Sequence, residues 1–242
     1  MNIIADIWKF AYIAYQEPRA NTDSAFLFKS IFTPMNNNLD YGYIAEFEDR
    51  IIIAFRGTKG KFESWFTNFE FEKDSLPDGK NIHQGFYDGW SAFKDTISNY
   101  IKINGDNKKI YITGHSRGGA LCSLCARHIA KNLKMPCCNL AFAPPKQGNK
   151  EYRDEFNLLP IDSTNIINGY DIVPNVPFYD LGFRDVGKTL HLSQPWWHKW
   201  FHEIRDHYPE NYTKAIFNYS KEKDDEEAMN LLINLNDPSK AV

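Results

Sequence analysis

The sequence has few cysteines, no block of basic residues and no apolar stretch long enough to span a bilayer. It holds four cysteines among 242 residues, and its formal net charge at pH 7 is −3. A mildly acidic chain without a basic patch gives no reason to expect nucleic-acid binding. A membrane-spanning helix needs about 20 mostly apolar residues, so the sequence predicts no transmembrane segment.

The first residues, Met1 to Lys9, do not follow the pattern of a secretory signal peptide. Asp6 and Lys9 interrupt the apolar stretch, and no basic residues precede it. The sequence therefore predicts a soluble protein that is cytoplasmic or is exported without a classical signal peptide.

The cysteines do not predict a metal site. Cys122 and Cys125 lie one turn apart on a predicted helix, whereas Cys137 and Cys138 are neighbours in a predicted strand and point to opposite faces. Zinc ligands must converge on one point. We therefore expect reduced thiols within the core and no bound metal.

Hydrophobic periodicity predicts an alternation of strands and helices. The predicted helices are 2–16, 84–103, 117–132 and a C-terminal helix near 225–235. The predicted strands are 25–32, 41–48, 50–56, 109–113, 137–143, 163–168 and one near 181–191. This order indicates one α/β domain over residues 1–242, with a largely parallel sheet and helices on both faces.

The most informative motif is the G-x-S-x-G sequence from Gly114 to Gly118. A β-prone run precedes it and a helix-forming run follows, which is the context of a nucleophile elbow. The elbow would expose Ser116 on a sharp turn, and both glycines are needed because a Cβ there would collide. The N–H of Arg117 would point into the same space as an oxyanion donor.

A serine nucleophile needs a base, and the base needs an orienting acid. In this type of hydrolase the acid and then the base follow the serine along the chain. Asp171 comes directly after a predicted strand, at the sheet edge where the elbow opens. The histidines that satisfy this order in the later part of the chain are His191, His198, His202 and His207.

Six short segments, in this order, resemble the class 3 lipases, the fungal-lipase-like group of α/β-hydrolases. They are Phe55–Thr58, His83–Phe86, Gly114–Ala120, Ala141–Pro144, Asp171–Pro174 with Pro177, and His207 with Tyr212. The resemblance covers residues 50–215 and implies an α/β-hydrolase fold, with a mostly parallel central sheet, flanking helices and a short helical lid.

The resemblance also implies roles for single residues. Ser116 would be the nucleophile, His207 the base and Asp171 the residue that orients the base. Thr58 would supply the first oxyanion donor through its backbone N–H, together with its hydroxyl. The backbone N–H of Arg117 would be the second. No metal or organic cofactor is implied.

Arg117 departs from the family pattern, because family lipases often carry leucine after the nucleophile. A cation beside the pocket would favour a substrate whose acyl chain lies next to a phosphate. A salt bridge between Arg117 and a neighbouring residue would instead make the cation purely structural. The signal peptide and disulfide framework of secreted members are also missing, so compartment and natural substrate stay open.

The segment after Thr58 predicts an amphipathic helix. Phe62, Trp65, Phe66 and Phe69 follow the i, i+3, i+4, i+7 spacing of one apolar helix face. In lipases of the group that this chain resembles, the matching segment covers the cleft, which makes 59–75 a lid candidate and a lipid interface a transient partner. An ordinary core-packed helix is the alternative.

The sequence thus predicts a serine-dependent carboxylic ester hydrolase of lipase type that acts on lipid esters through an acyl-enzyme. A phospholipase A or a small-ester esterase is the alternative within the same class. A catalytically silent lipid-binding module is the alternative from another class, although an intact serine, aspartate and histidine speak against it. Oligomeric state, acyl length and head group are left open.

Overall fold

The computed structural model describes residues 3–17, 31–36, 40–58, 73–76, 78–192 and 204–235. The strands in this part of the chain are β1 (Ile31–Asn36), β2 (Tyr41–Glu46), β3 (Arg50–Phe55), β4 (Lys73–Ser75), β5 (Asn81–His83), β6 (Lys109–His115), β7 (Cys137–Phe142), β8 (Ile161–Asn168) and β9 (Lys188–Leu192). Seven of them form a central sheet in the order β1-β2-β3-β6-β7-β8-β9, and β4 pairs with β5.

The central sheet is antiparallel at one side and parallel over the rest. β1, β2 and β3 form an antiparallel meander. The remaining pairs of this sheet, β3–β6, β6–β7, β7–β8 and β8–β9, are parallel. Parallel strands end at a common carboxyl edge. The loops that follow β3, β6 and β8 therefore meet at this edge.

Helices cover both faces of the sheet, as the alternation predicts. They are α1 (Ile3–Ile13), α2 (Gln84–Asn104), α3 (Arg117–His128), α4 (Lys150–Leu158), α5 (Pro209–Glu222) and α6 (Glu226–Leu235). One buried cluster joins α2 and α3 to the sheet, and a second joins α1, α5 and α6 to the opposite face. On β3, Ile51 and Ile53 enter the first cluster while Ile52 enters the second, so this strand is buried on both faces.

Two helices were not expected from the sequence. On α5 the buried side chains are Tyr212, Thr213, Ala215, Ile216 and Ser220, a mixed set that gives only a weak apolar period. On α4 only Tyr152 and Phe156 are buried. The strand expected near 181–191 is shorter in the structure, where β9 spans only Lys188–Leu192.

The four cysteines are free thiols. Cys122, Cys125 and Cys137 belong to one buried cluster, and Cys138 packs against the other, so the two adjacent cysteines do point to opposite faces. Among the described helices, none combines the length and the apolar character that crossing a membrane would require.

Candidate active site

Ser116 stands on a strained turn between β6 and α3. Its backbone has φ 60° and ψ −128°, a region that side-chain-bearing residues adopt rarely and at an energetic cost. The N–H of Ser116 donates to the carbonyl oxygen of Phe142 on β7 at 2.9 Å. The turn is thus anchored to the sheet while the hydroxyl projects from its carboxyl edge.

The elbow requires the two glycines that flank the serine. A Cβ on Gly114 would lie 2.7 Å from the backbone of Gly118 and from the carbonyl oxygen of Phe55. A Cβ on Gly118 would come closer still to that carbonyl oxygen. β6, α3 and the end of β3 therefore approach one another at a distance that only glycine permits.

A continuous line of hydrogen bonds joins the serine, the histidine and the aspartate. The Oγ of Ser116 lies 2.8 Å from Nε2 of His207. Nδ1 of His207 lies 2.9 Å from Oδ2 and 3.1 Å from Oδ1 of Asp171. All three residues are at most 3% exposed. This is the geometry of a Ser-His-Asp triad, with Nδ1 donating to the carboxylate and Nε2 accepting from the hydroxyl.

Asp171 is held by donors on both of its oxygens. The N–H of Val173 donates to Oδ1 at 2.9 Å, and the hydroxyl of Tyr212 donates to Oδ2 at 2.8 Å. Burial raises the pKa of Tyr212 well above its ordinary value, and the Asp171 carboxylate acts in the same direction. The phenol therefore stays protonated and remains a donor to the acid.

The short turn that carries His207 is tied to the loop that carries the acid. His207 ends a single 3₁₀ turn, Arg205–His207, directly before α5. The side chain of Asn168, at the end of β8, donates to the carbonyl of Asp206 at 2.9 Å. The N–H of Tyr170 donates to Oδ2 of Asp206 at 2.9 Å. These bonds position the base and the acid relative to each other.

Thr58 lies beside the nucleophile, where an oxyanion donor is expected. It follows β3 after Gly57, whose Cβ position would be 2.7 Å from the carbonyl oxygen of His115, so the loop passes directly against the elbow. The Oγ1 of Thr58 is buried and has no hydrogen-bond partner among the described residues. On the other side, α3 begins at Arg117, and a first-turn N–H has no partner within its helix.

The side chain of Arg117 forms a salt bridge. Its guanidinium donates to Oδ1 and Oδ2 of Asp40 at 2.6 and 2.9 Å, and to the carbonyl oxygen of Gly85 at 2.8 Å. The structure thus contains the salt bridge that one of the two interpretations expects. The cation is engaged away from the serine hydroxyl.

A second histidine packs against the imidazole of His207, and no sequence pattern indicated this contact. The rings of His115 and His207 are 4.6 Å apart between centroids and inclined by 31°. The hydroxyl of Tyr15 and Nδ1 of His115 share a hydrogen bond of 2.7 Å across 100 positions of sequence. Burial lowers the pKa of His115 well below its ordinary value, and neighbouring His207 adds to that effect, so His115 stays neutral.

The triad opens into a cavity of about 280 Å³. Its lining consists of Tyr12, Tyr15, Gln16, Thr58, His115, Ser116, His207, Tyr208, Pro209 and Glu210. The cavity therefore joins the nucleophile, the base and Thr58 in one space that a small ester can enter.

Parts of the expected site lie outside the described residues. Phe62, Trp65, Phe66 and Phe69, which carry the lid prediction, are among them, as are His198 and His202. The last three positions of the lid candidate are described, and they form β4 in the hairpin with β5.

The chain resembles known lipases and a phospholipase. It is 25% identical over 185 residues to secreted mono- and diacylglycerol lipase 1 of Fusarium solani, covering 74% of this chain and 53% of that protein. It is 25% identical over 147 residues to phospholipase A1-II 5 of Oryza sativa subsp. indica, covering 57% of this chain and 30% of that one. The chain thus spans about half, or less, of the length of these relatives.

The fold is that of solved fungal lipases. The propeptide complex of Rhizomucor miehei lipase superposes with a TM-score of 0.70 at 20% identity, over 80% of this chain and 68% of that one. The class 3 lipase family matches residues 52–181, which is more than half of the sequence and includes both the elbow and Asp171. The chain therefore belongs to the class 3 lipases.

Proposed function

We propose that the chain is a serine esterase of lipase type, which hydrolyses carboxylic esters of lipids through an acyl-enzyme. The observation that carries the proposal is the line from Ser116 Oγ through His207 to Asp171, with 2.8 and 2.9 Å between successive groups. It opens into a cavity that also holds the hydroxyl of Thr58, which has no hydrogen-bond partner among the described residues.

In the first half-reaction the Oγ of Ser116 attacks the ester carbonyl while Nε2 of His207 takes its proton. The oxyanion receives hydrogen bonds from the N–H groups of Thr58 and Arg117 and from the hydroxyl of Thr58. The imidazolium, stabilised by Asp171, then protonates the leaving alcohol. An acyl group remains on the serine.

In the second half-reaction a water molecule takes the place of the alcohol. His207 removes its proton, the water attacks the acyl carbonyl and the same donors receive the second oxyanion. Collapse of this intermediate returns the proton to Ser116 and releases the fatty acid. No step requires a cofactor.

In this proposal the protein binds its lipid substrate at a lipid–water interface. The apolar face of the lid candidate, centred on Trp65 and Phe66, would exchange contact with protein for contact with lipid. Activity on a medium-chain ester should then rise steeply once the ester forms micelles or droplets. Replacing Trp65 and Phe66 with serine should blunt that rise more than hydrolysis of a soluble acetate ester. Smooth saturation in both proteins would contradict a lid.

The state of the cysteines bears on the compartment in which the protein works. All four cysteines are free, and reduced thiols are typical of cytosolic proteins. We therefore propose a reducing, cytosol-like compartment for the protein.

Labelling with a fluorophosphonate probe tests the proposal. The probe should label the protein, and Ser116→Ala should abolish both labelling and hydrolysis of triacylglycerols, phospholipids and nitrophenyl esters. Ser98→Ala is the matched control, because Ser98 also contacts a histidine, with 2.8 Å between its Oγ and Nε2 of His128, but lies outside the site. A protein that is not labelled, yet folds and binds lipid, would favour a silent lipid-binding module.

A further inference from the structure

The cavity wall beside the base carries one carboxylate. Tyr208, Pro209 and Glu210 follow His207 in the chain, and all four residues line the cavity. Glu210 is exposed, and it is the only aspartate, glutamate, lysine or arginine among the described lining residues. Burial raises the pKa of Tyr12, another lining residue, and the Glu210 carboxylate raises it further.

This wall faces the leaving group. In the proposed reaction Nε2 of His207 protonates the leaving alcohol, so that alcohol must lie within hydrogen-bond reach of the imidazole. The residues that continue the chain from His207 into α5 are therefore its neighbours. In a phospholipid, the phosphate is attached to the same glycerol as the leaving oxygen and would lie near Glu210.

The arginines near the nucleophile are each paired with a carboxylate. Burial raises the pKa of Tyr15, another lining residue, and the Arg56 guanidinium lowers it by more than Glu210 raises it, so Arg56 offsets part of the Glu210 charge at that side of the cavity. The guanidinium of Arg117 is bound by Asp40 and by the carbonyl of Gly85, and Arg56 is paired with Glu17. Neither arginine is among the lining residues. A phosphate in the cavity would thus meet the carboxylate directly, whereas no described lining residue carries a positive charge.

Glu210 also occupies the end of a helix that would otherwise favour an anion. It lies in the first turn of α5, where Pro209 holds the first position. The N-terminus of a helix carries about half a positive charge and attracts anions. Because the carboxylate of Glu210 lies within that field, an incoming phosphate would gain less from the helix end.

We propose that Glu210 is a specificity-determining residue, which selects against lipid esters whose leaving group carries a negative charge. The selection rests on the proposed function, because it acts on the leaving alcohol of that reaction. Two unit charges several ångströms apart in a water-like medium repel enough to change a rate by about threefold to tenfold. The effect should weaken as salt screens the exposed carboxylate.

The test compares two water-soluble esters as dissolved monomers, which removes any effect of an interface. Dibutyrylglycerol has an uncharged leaving group, and dihexanoyl phosphatidylglycerol has an anionic one. For Glu210→Gln, the ratio of kcat/KM on the anionic ester to kcat/KM on the neutral ester should rise about threefold to tenfold at low ionic strength. Glu210→Lys should raise it further, and salt at about 1 M should shrink the differences.

Glu226→Gln is the matched control. Glu226 is an exposed first-turn glutamate of the next helix, α6, and it is not among the lining residues. A ratio that stays constant in both Glu210 variants, or that rises equally in Glu226→Gln, would overturn the role of Glu210. Failure of the unmodified protein to hydrolyse either ester and to react with a fluorophosphonate would instead overturn the proposed function, and this selection with it.

Discussion

Nε2 of His207 lies 2.8 Å from the Oγ of Ser116, although 91 positions separate the two residues in the sequence. The serine comes from a turn after β6, and the histidine from a turn before α5. The two turns meet through these side chains and do not belong to adjacent strands or to one helix. The distance is set by the shared carboxyl edge of the sheet and by the bonds between the β8 loop and Asp206.

Replacing the base should be about as damaging as replacing the nucleophile. We expect His207→Ala to lower kcat by about 10⁴-fold or more, because serine and histidine act as one unit. His191→Ala, His198→Ala and His202→Ala should retain most activity on a soluble nitrophenyl ester. Loss of activity at His198 or His202, with activity kept in His207→Ala, would show that the base was assigned to the wrong histidine.

Removing the hydroxyl of Tyr212 should slow the reaction without abolishing it. Tyr212→Phe deletes a donor to Asp171 and leaves the N–H of Asn168, which donates to the same hydroxyl at 3.0 Å, without that acceptor. A hydrogen bond to a charged group contributes about 1.5–3 kcal/mol, so kcat should fall by about tenfold or more.

Tyr219→Phe is the control for this change, because Tyr219 lies on the same helix and packs against the core without contacting the triad. Equal kcat values in Tyr212→Phe and the unmodified protein would mean that Val173 and His207 suffice to hold the acid. Thermal unfolding of both variants separates an effect on kcat from an effect on folding.

A methyl group at the elbow should disrupt the site. In Gly118→Ala the new Cβ would collide with the carbonyl oxygen of Phe55 and press on the backbone of Arg56. Backbone atoms cannot rotate away, so we expect a loss of about 1–3 kcal/mol in the free energy of unfolding and severe loss of activity.

The matched substitution is Gly85→Ala, where the nearest atom to the new Cβ is a side-chain carbon of His83 at 3.3 Å. This variant should unfold close to the unmodified protein in a denaturant titration. If Gly118→Ala were as stable and as active as Gly85→Ala, the close approach of β3 and α3 would not be required.

His115 should make stability depend on pH. Its pKa is lowered well below the ordinary 6.5 in the folded protein. As pH falls below about 6.5, this imidazole therefore becomes protonated in the unfolded chain but stays neutral in the folded chain. The stability contributed by the neutral imidazole is present above that pH and is lost below it, by up to about 1.4 kcal/mol for each pH unit.

Denaturant unfolding at a series of pH values between about 7 and 5 would measure this slope. In His115→Gln the free energy of unfolding should fall less steeply with decreasing pH than in the unmodified protein, whatever the absolute stability. Parallel curves for His115→Gln and the unmodified protein would contradict a buried neutral His115.

The sequence by itself determined the elements whose signal is local. The apolar run of β3, the periodicity of α1 and α2, and the strand-turn-helix context of Ser116 each lie within one short window. Chain order and position made Asp171 and His207 candidates, and the resemblance assigned their roles and that of Thr58. The structure brings Asp171 and His207 into hydrogen-bonding contact and places Thr58 in the same cavity. The helix α5 was not predicted, because its buried face consists of tyrosine, threonine, alanine and serine as much as of aliphatic residues.

Only the tertiary structure decided which polar groups meet. The bond between Tyr212 and Asp171 spans 41 positions, that between Arg117 and Asp40 spans 77, and that between Tyr15 and His115 spans 100. A periodic pattern records which face of an element is buried, but it does not record which distant side chain shares that burial. These partnerships follow from the packing of helices onto a parallel sheet whose loops converge at one edge, and the same packing places Glu210 in the wall of the cavity.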